Sequence, residues 1–192
     1  MEYILKTPIA DDDRERLRAG DRVLLSGVIY TARDAAHERM TRLYSEGEPF
    51  PIDLASAAVY YAGPCPAKPG EVIGSCGPTT AGRMDAYTPL LLDCGLRIMI
   101  GKGARSDAVM KSIVKNKAVY LGAVGGAGAL IAKCIKSSSI VAYEDLGTEA
   151  IRRLEIENLP LTVLADASGG DLYAEGISKY KALLGEKQTI YS

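Results

Sequence analysis

The sequence predicts an α/β fold: a mixed, partly parallel sheet with helices between successive strands. Three observations predict it. Short apolar runs bounded by turn residues alternate with helix-period segments through the middle of the chain. Glycine-rich loops follow several of those runs, as they do where a strand hands over to a helix. The length of 192 residues suits one domain, 1–192, and a chain of this size buries roughly 70% of its unfolded surface, enough for a core without metals or disulfides.

The elements follow in order. Residues 8–13 read as a polar entry segment, and Gly20-Asp21 as a turn. The run 23–29 (VLLSGVI) is a strand by its apolar character. Residues 33–45 (RDAAHERMTRLYS) form a helix, with Ala36, Met40 and Leu43 at helical spacing. Gly47-Glu48-Pro49 ends it. Residues 57–61 (AAVYY) are a short strand, GPCPAKPG is a rigid connection, and 72–76 (VIGSC) is a second short strand running into GPTTAGRM. A short helix opens at Thr88 with Pro89 in its first position, where the missing N–H costs nothing.

The run 96–100 (LRIMI) is a strand ending in GKG. A helix over 106–116 has Ser106 as its N-cap. Residues 118–121 are a strand, GAVGGAG follows, then a helix over 129–135 and a strand over 140–143. The apolar runs 150–154 and 161–165 read as two strands separated by a charged turn. The tail, about 171–192, is polar and helix-prone, with Ile177, Tyr180, Leu183 and Leu184 as an apolar stripe. The early and late strand pairs predict antiparallel additions to the parallel core.

Composition excludes several classes. Net charge is −1, so no global positive field exists to hold a polyphosphate chain. Aromatics make up 6% with no Trp, which argues against a base-stacking platform, so no nucleic-acid partner is expected. No window of ~18 consecutive apolar residues occurs, so no membrane span is expected. The first residues turn acidic at once and lack a signal-type apolar run, which points to the cytoplasm. Cys65, Cys76, Cys94 and Cys134 form no C-x-x-C, and His37 is the only histidine. A zinc site is therefore not expected and no metal is assigned to this chain.

Four loops carry glycine together with polar groups: 31–34 (TARD), 77–83 (GPTTAGR), 101–103 (GKG) and 122–128 (GAVGGAG). In an open α/β sheet, loops after strand C-termini form the ligand crevice. Three of them each bring one cation: Arg33, Arg83 and Lys102. Three converging cations suit a small dianion, with Arg gripping a carboxylate by two hydrogen bonds and Lys supplying a point charge. Asp34 and Asp85 each lie close to an arginine and can orient it; as first-turn acids they would equally favour the helix dipole. His37 lies one turn beyond Arg33 and reads as a structural or supporting group. Thr79 and Thr80 sit in the densest Gly/Pro loop. Alone they read as turn hydroxyls, and catalysis by either needs activation by neighbouring cations. GAVGGAG lacks the third glycine of G-x-G-x-x-G, so a tight turn with close packing is favoured over a dinucleotide site.

The stretch Gly77-Pro78-Thr79-Thr80-Ala81-Gly82-Arg83-Met84-Asp85, then Tyr87-Thr88-Pro89, then Met99-Ile100-Gly101-Lys102-Gly103, resembles the C-terminal or β region of class I fumarases and L-tartrate dehydratases, the iron–sulfur hydro-lyases. The segment Ala32-Arg33-Asp34-Ala35-Ala36-His37 resembles it too, and the order of elements agrees along essentially the whole chain. Ala81 departs from the pattern, since many relatives carry Ser there.

The resemblance implies a swivelling β/β/α-type domain acting on a four-carbon dicarboxylate by adding or removing water. It implies Thr79 as general base, and Arg33, Arg83 and Lys102 as substrate-binding cations, with Arg83 and Lys102 also stabilising charge that develops in the reaction. Thr80 would assist binding, and Asp34, His37 and Asp85 would support these groups. It implies a [4Fe-4S] cluster on an α subunit rather than on this chain, and a shared active site in a hetero-oligomer such as (αβ)2. Fumarate hydration is the preferred activity. L-tartrate dehydration, and a non-catalytic anion-binding module, remain the alternatives.

Overall fold

Five strands run parallel: β1 (Glu2–Lys6), β2 (Arg22–Thr31), β3 (Ala58–Tyr60), β4 (Ile98–Gly101) and β5 (Val119–Gly122). They belong to a computed structural model that describes residues 1–190. Antiparallel β6 (Ile135–Ala142) and β7 (Ile151–Ala165) complete a seven-stranded sheet in the order β1-β2-β3-β4-β5-β7-β6. β7 also pairs with β2, from Arg22↔Thr162 to Thr31↔Arg152. Strands β2, β3, β4, β5 and β7 thereby close into a ring, flanked by β1 and β6. The helices are α1 (Asp11–Arg16), α2 (Asp34–Ser45), α3 (Thr88–Asp93), α4 (Asp107–Lys115), α5 (Gly128–Cys134) and α6 (Leu172–Ile190).

The two-residue period of the strands builds two cores. Ala58, Tyr60, Ile98, Ile100, Val119, Leu121, Leu25, Ile29, Leu154 and Val163 form one cluster, drawn from all five ring strands. Their alternates Val59, Tyr61, Met99 and Tyr120 pack the other way, with Ala36 and Met40 of α2, Leu91 and Leu92 of α3, and Val109 and Ile113 of α4. The short β3, β4 and β5 are buried along their whole lengths, as strands covered on both faces must be.

Most predicted elements are present within a residue or two, and the mixed sheet is as expected. Four differ. The segment before Gly20 holds β1 and α1 rather than a bare entry. Residues 72–76 form no strand: Gly74 N–H donates to Cys65 O at 3.2 Å, Cys65 N–H to Ser75 O at 2.9 Å and Cys76 N–H to Gly128 O at 3.1 Å, and Tyr60 Oη donates to the Cys76 carbonyl at 2.7 Å. β6 starts five residues earlier than predicted, directly at the end of α5. The two predicted strands at 150–154 and 161–165 are one strand, β7. The charged stretch between them is a bulge, not a turn: Asn158 takes φ 51°, its N–H bonds Ser26 Oγ at 3.0 Å, and the β2 register shifts opposite, between Leu25 and Gly27. Glu155, Glu157 and Asn158 are exposed while Leu154, Ile156 and Leu159 are buried, so alternation continues through the charged residues.

The tail forms α6 from Leu172, and its apolar stripe is exposed. The last two residues of the predicted 171–192 segment lie outside the described residues. Among the described residues, no helix is long and apolar enough to cross a membrane.

Candidate active site

Because β2, β3, β4 and β5 are parallel, their C-terminal ends share one rim; the registers Thr31↔Tyr60, Tyr60↔Ile100 and Gly101↔Gly122 set them side by side. Loops 31–34, 101–103 and 122–128 leave directly from it. Loop 77–83 follows no strand, yet backbone bonds stitch it to the same rim. Thr79 N–H donates to Tyr61 O at 2.7 Å, Ala81 N–H donates to Lys102 O at 2.8 Å, and Thr80 and Lys102 form a parallel bridge. The four predicted loops therefore meet.

Arg33 occupies the N-cap position of α2, in extended backbone. Its Nη2 lies 3.3 Å from Glu149 Oε1 and 3.6 Å from Asp34 Oδ2. The side chain is only 19% exposed, and Nε is buried without a partner. Gly63 makes room for it: a Cβ there would sit 2.9 Å from Arg33 Nη1. Arg83, on the 3-10 turn Ala81–Met84, donates Nε–H to Asp34 Oδ1 at 2.7 Å. Asp34 thus stands between Arg33 and Arg83 and links the two cations. Lys102 makes no ion pair among the described residues, and its stem runs along Gly125. Thr79 is half-buried and Thr80 exposed. The hydroxyls of both are without a hydrogen bond among the described residues.

His37 is fully buried, and burial lowers its pKa to about 4, so the ring is neutral near pH 7. Its Nδ1 lies 2.9 Å from Arg33 O, a carbonyl that can only accept, so Nδ1 carries the proton. The Arg33 carbonyl also accepts the His37 backbone N–H at 2.9 Å. The ring sits edge-on to Tyr61 at 5.3 Å. His37 faces the packing and not the rim.

Asp85 does not reach Arg83. Its two oxygens accept Arg105 Nε–H and Ser106 N–H, both at 2.7 Å, at the start of α4. Ser106 stands at the N-cap position, as predicted, with its own N–H committed to Asp85 and no side-chain cap bond.

The GAVGGAG loop is explained by packing. A Cβ on Gly128 would lie 2.4 Å from Ser75 Oγ and 2.8 Å from the Gly77 N. Close approach of α5 to the 75–77 segment demands glycine there.

The model of the family described as fumarase C-terminus matches residues 2–176. The chain belongs to the fumarase C-terminal family. It is 39% identical over 179 residues to fumarate hydratase 2 of Leishmania major, covering 91% of this chain and 31% of that protein. It is 41% identical over 160 residues to the anaerobic class I fumarate hydratase of Escherichia coli, covering 82% and 29%. It is 35% identical over 192 residues to the putative L(+)-tartrate dehydratase subunit beta of Methanocaldococcus jannaschii, covering 97% and 98%. The chain therefore spans under a third of the fumarate hydratases it matches, and nearly all of the β-subunit relative.

The cysteines of this fumarase C-terminal chain sit in different surroundings. Burial pushes the Cys76 thiol up to about 12, which opposes the thiolate a cluster needs. Cys65 is exposed, Cys94 ends α3 and Cys134 ends α5, on separate segments. Among the described residues no three His, Cys, Asp or Glu side chains gather to hold a metal.

Sequence reasoning missed Glu149, which partners Arg33 from the 3-10 turn Glu144–Glu149, and Arg105. Both lie outside the glycine-rich loops that drew attention. Only Arg105 carried a signal, as a cation two residues beyond GKG.

Proposed function

We propose that this chain is the β subunit of a hydro-lyase that reversibly hydrates fumarate to malate in an active site shared with an iron–sulfur α subunit. The observation that carries this reading is the meeting of Arg33, Arg83 and Lys102 on one rim beside Thr79, two of the cations joined through Asp34. Three cations against two carboxylates suit a C4 dicarboxylate. The Arg83 side chain is 53% exposed at the rim, so a partner has surface to cover, and the full-length fumarate hydratases carry the remaining two thirds that could supply it.

In this reading Arg33, Arg83 and Lys102 hold the carboxylates. Thr79 takes the C3 proton of malate, and Arg83 and Lys102 stabilise the enolate-like charge that builds on the adjacent carboxylate. In the same reading Lys102, whose backbone bridges Thr80 and which makes no ion pair among the described residues, favours a threonine alkoxide. The [4Fe-4S] cluster belongs, in this reading, to the partner, where it would act as a Lewis acid; in support, no three His, Cys, Asp or Glu side chains gather among the described residues. A swivelling domain, an (αβ)2 assembly and a cytoplasmic setting belong to the same proposal.

L-tartrate dehydration is the second reading. It is favoured by one observation: the relative matched end to end is named as a tartrate dehydratase β subunit. Anaerobic co-expression with the iron–sulfur partner, then assay with fumarate, malate and both tartrates, separates the two. Turnover of none of them would leave the anion-binding module.

A further inference from the structure

Arg105 is a cation that the proposed chemistry does not use, and the rim is built around it. Its side chain is 1% exposed. Nε–H donates to Asp85 Oδ1 at 2.7 Å, fixing the residue two places beyond Arg83. Nη2 donates to Thr88 Oγ1 at 2.7 Å, and that hydroxyl donates in turn to Met84 O at 2.8 Å, so the turn that carries Arg83 is held at a second point. Nη1 lies 3.4 Å from Tyr61 Oη, and the Tyr61 carbonyl is the acceptor for Thr79 N–H. The guanidinium also lies 5.0 Å from the centre of the Tyr120 ring, whose Oη donates to Gly103 O at 3.0 Å, next to Lys102. One buried fork therefore touches the supports of Thr79, Arg83 and Lys102.

Stability alone does not call for a charge here. Burying an ion pair carries a desolvation penalty, and well-packed apolar groups of similar volume usually serve a core as well or better. A planar cation with five donors does what an apolar side chain cannot: it fixes directions as well as distances. We infer that Arg105 is the positioning residue of the site, setting the separation of Arg83 and Lys102 and the placement of Thr79. This deepens the hydro-lyase reading and rests on it. Arg105 touches no substrate; it acts through Asp85, Thr88, Tyr61 and Tyr120. A displacement of about 1 Å in a catalytic group can cost roughly 100-fold in rate, so loosening the hub should be felt strongly.

The test uses Arg105→Met and Arg105→Lys in the complex of the full chain with its iron–sulfur partner. KM and kcat are measured per folded enzyme, with circular dichroism and thermal unfolding alongside. The inference predicts KM for malate raised about tenfold or more and kcat also reduced, in a folded protein, with Lys intermediate because it keeps the charge but not the fork. Wild-type KM and kcat in Arg105→Met, or activity lost only in step with folded protein, would overturn it. Should Arg105→Met not fold, Arg105→Lys carries the test by the same KM and kcat readings.

If the wild-type complex turns over no dicarboxylate, the hydro-lyase reading fails by itself, and amide NMR of the full chain decides the positioning role. Thr79, Arg83 and Gly103 resonances should shift together in the variant while Glu2 and Tyr3, on the flanking strand β1, stay. Unchanged rim resonances would overturn the inference.

Discussion

Asp34 Oδ1 accepts the Arg83 Nε–H at 2.7 Å, so a carboxylate in the first turn of α2 holds a cation that lies 49 residues further along the chain. The Arg83 side chain is 53% exposed and the contact is solvent-screened, so its worth to folding is small, at most about 1 kcal/mol. In the proposed function its worth lies in binding, because it fixes where the guanidinium points.

Asp34→Asn should therefore leave the thermal midpoint nearly unchanged and lower kcat/KM for malate by about 10- to 100-fold in the complex with the partner. Steady-state kinetics beside a melting curve checks this. An unfolded variant, or unchanged kinetics, would show that Asp34 serves the fold or nothing.

His37 makes a pH-dependent contribution to stability. Its folded pKa, about 4, lies below the ordinary 6.5 because the ring is buried. The unfolded chain therefore binds a proton first as pH falls. The contribution is complete above about pH 6.5 and is lost between there and pH 4, a change on the order of 3 kcal/mol. Urea unfolding at pH 7 and pH 4.5 should show a steeper loss in wild type than in His37→Phe. Equal slopes would mean that the ring is not buried neutral.

How much of this was legible in the sequence depends on what signal each residue carries. The rim cations Arg33, Arg83 and Lys102 were visible because glycine-rich loops after apolar runs mark strand exits, and the structure does bring those loops together. β7 was read as two strands because Glu155, Glu157, Asn158 and Pro160 look like a turn in one dimension. In the fold they are the outward half of a continuous alternation, bent at Asn158. The run 72–76 has strand composition but finds no strand partner; pairing is a tertiary property that a short run cannot declare. Arg105 was passed over for the same reason. Its place two residues beyond GKG marks a cation near the rim, but not a buried one whose partners Asp85, Thr88 and Tyr61 come from distant segments.

The four thiols should differ sharply in reactivity. Cys65 is exposed, whereas Cys76 is buried in the ring core with its thiol held in the neutral form. Limited alkylation read by mass spectrometry should mark Cys65 first and leave Cys76 untouched until denaturant is added. Labelling of Cys76 at the rate of Cys65 in the native protein would contradict the packing described.

Tyr60 Oη donates to the Cys76 carbonyl inside the ring. Tyr60→Phe should cost about 1–3 kcal/mol, the penalty for a buried acceptor left unpaired, by the shift in urea midpoint. A neutral substitution would mean that water reaches this carbonyl.

The proposal that this chain is one subunit of a hydro-lyase and that Thr79 is its base is tested most directly by one comparison. Fumarate hydration is assayed anaerobically for the chain alone, for its complex with the iron–sulfur partner, and for that complex carrying Thr79→Ala. The account predicts no turnover from the chain alone and turnover from the complex. It predicts a loss of about 10²- to 10⁴-fold in kcat for Thr79→Ala, with KM little changed. Activity from the chain alone, or wild-type turnover in Thr79→Ala, would contradict it.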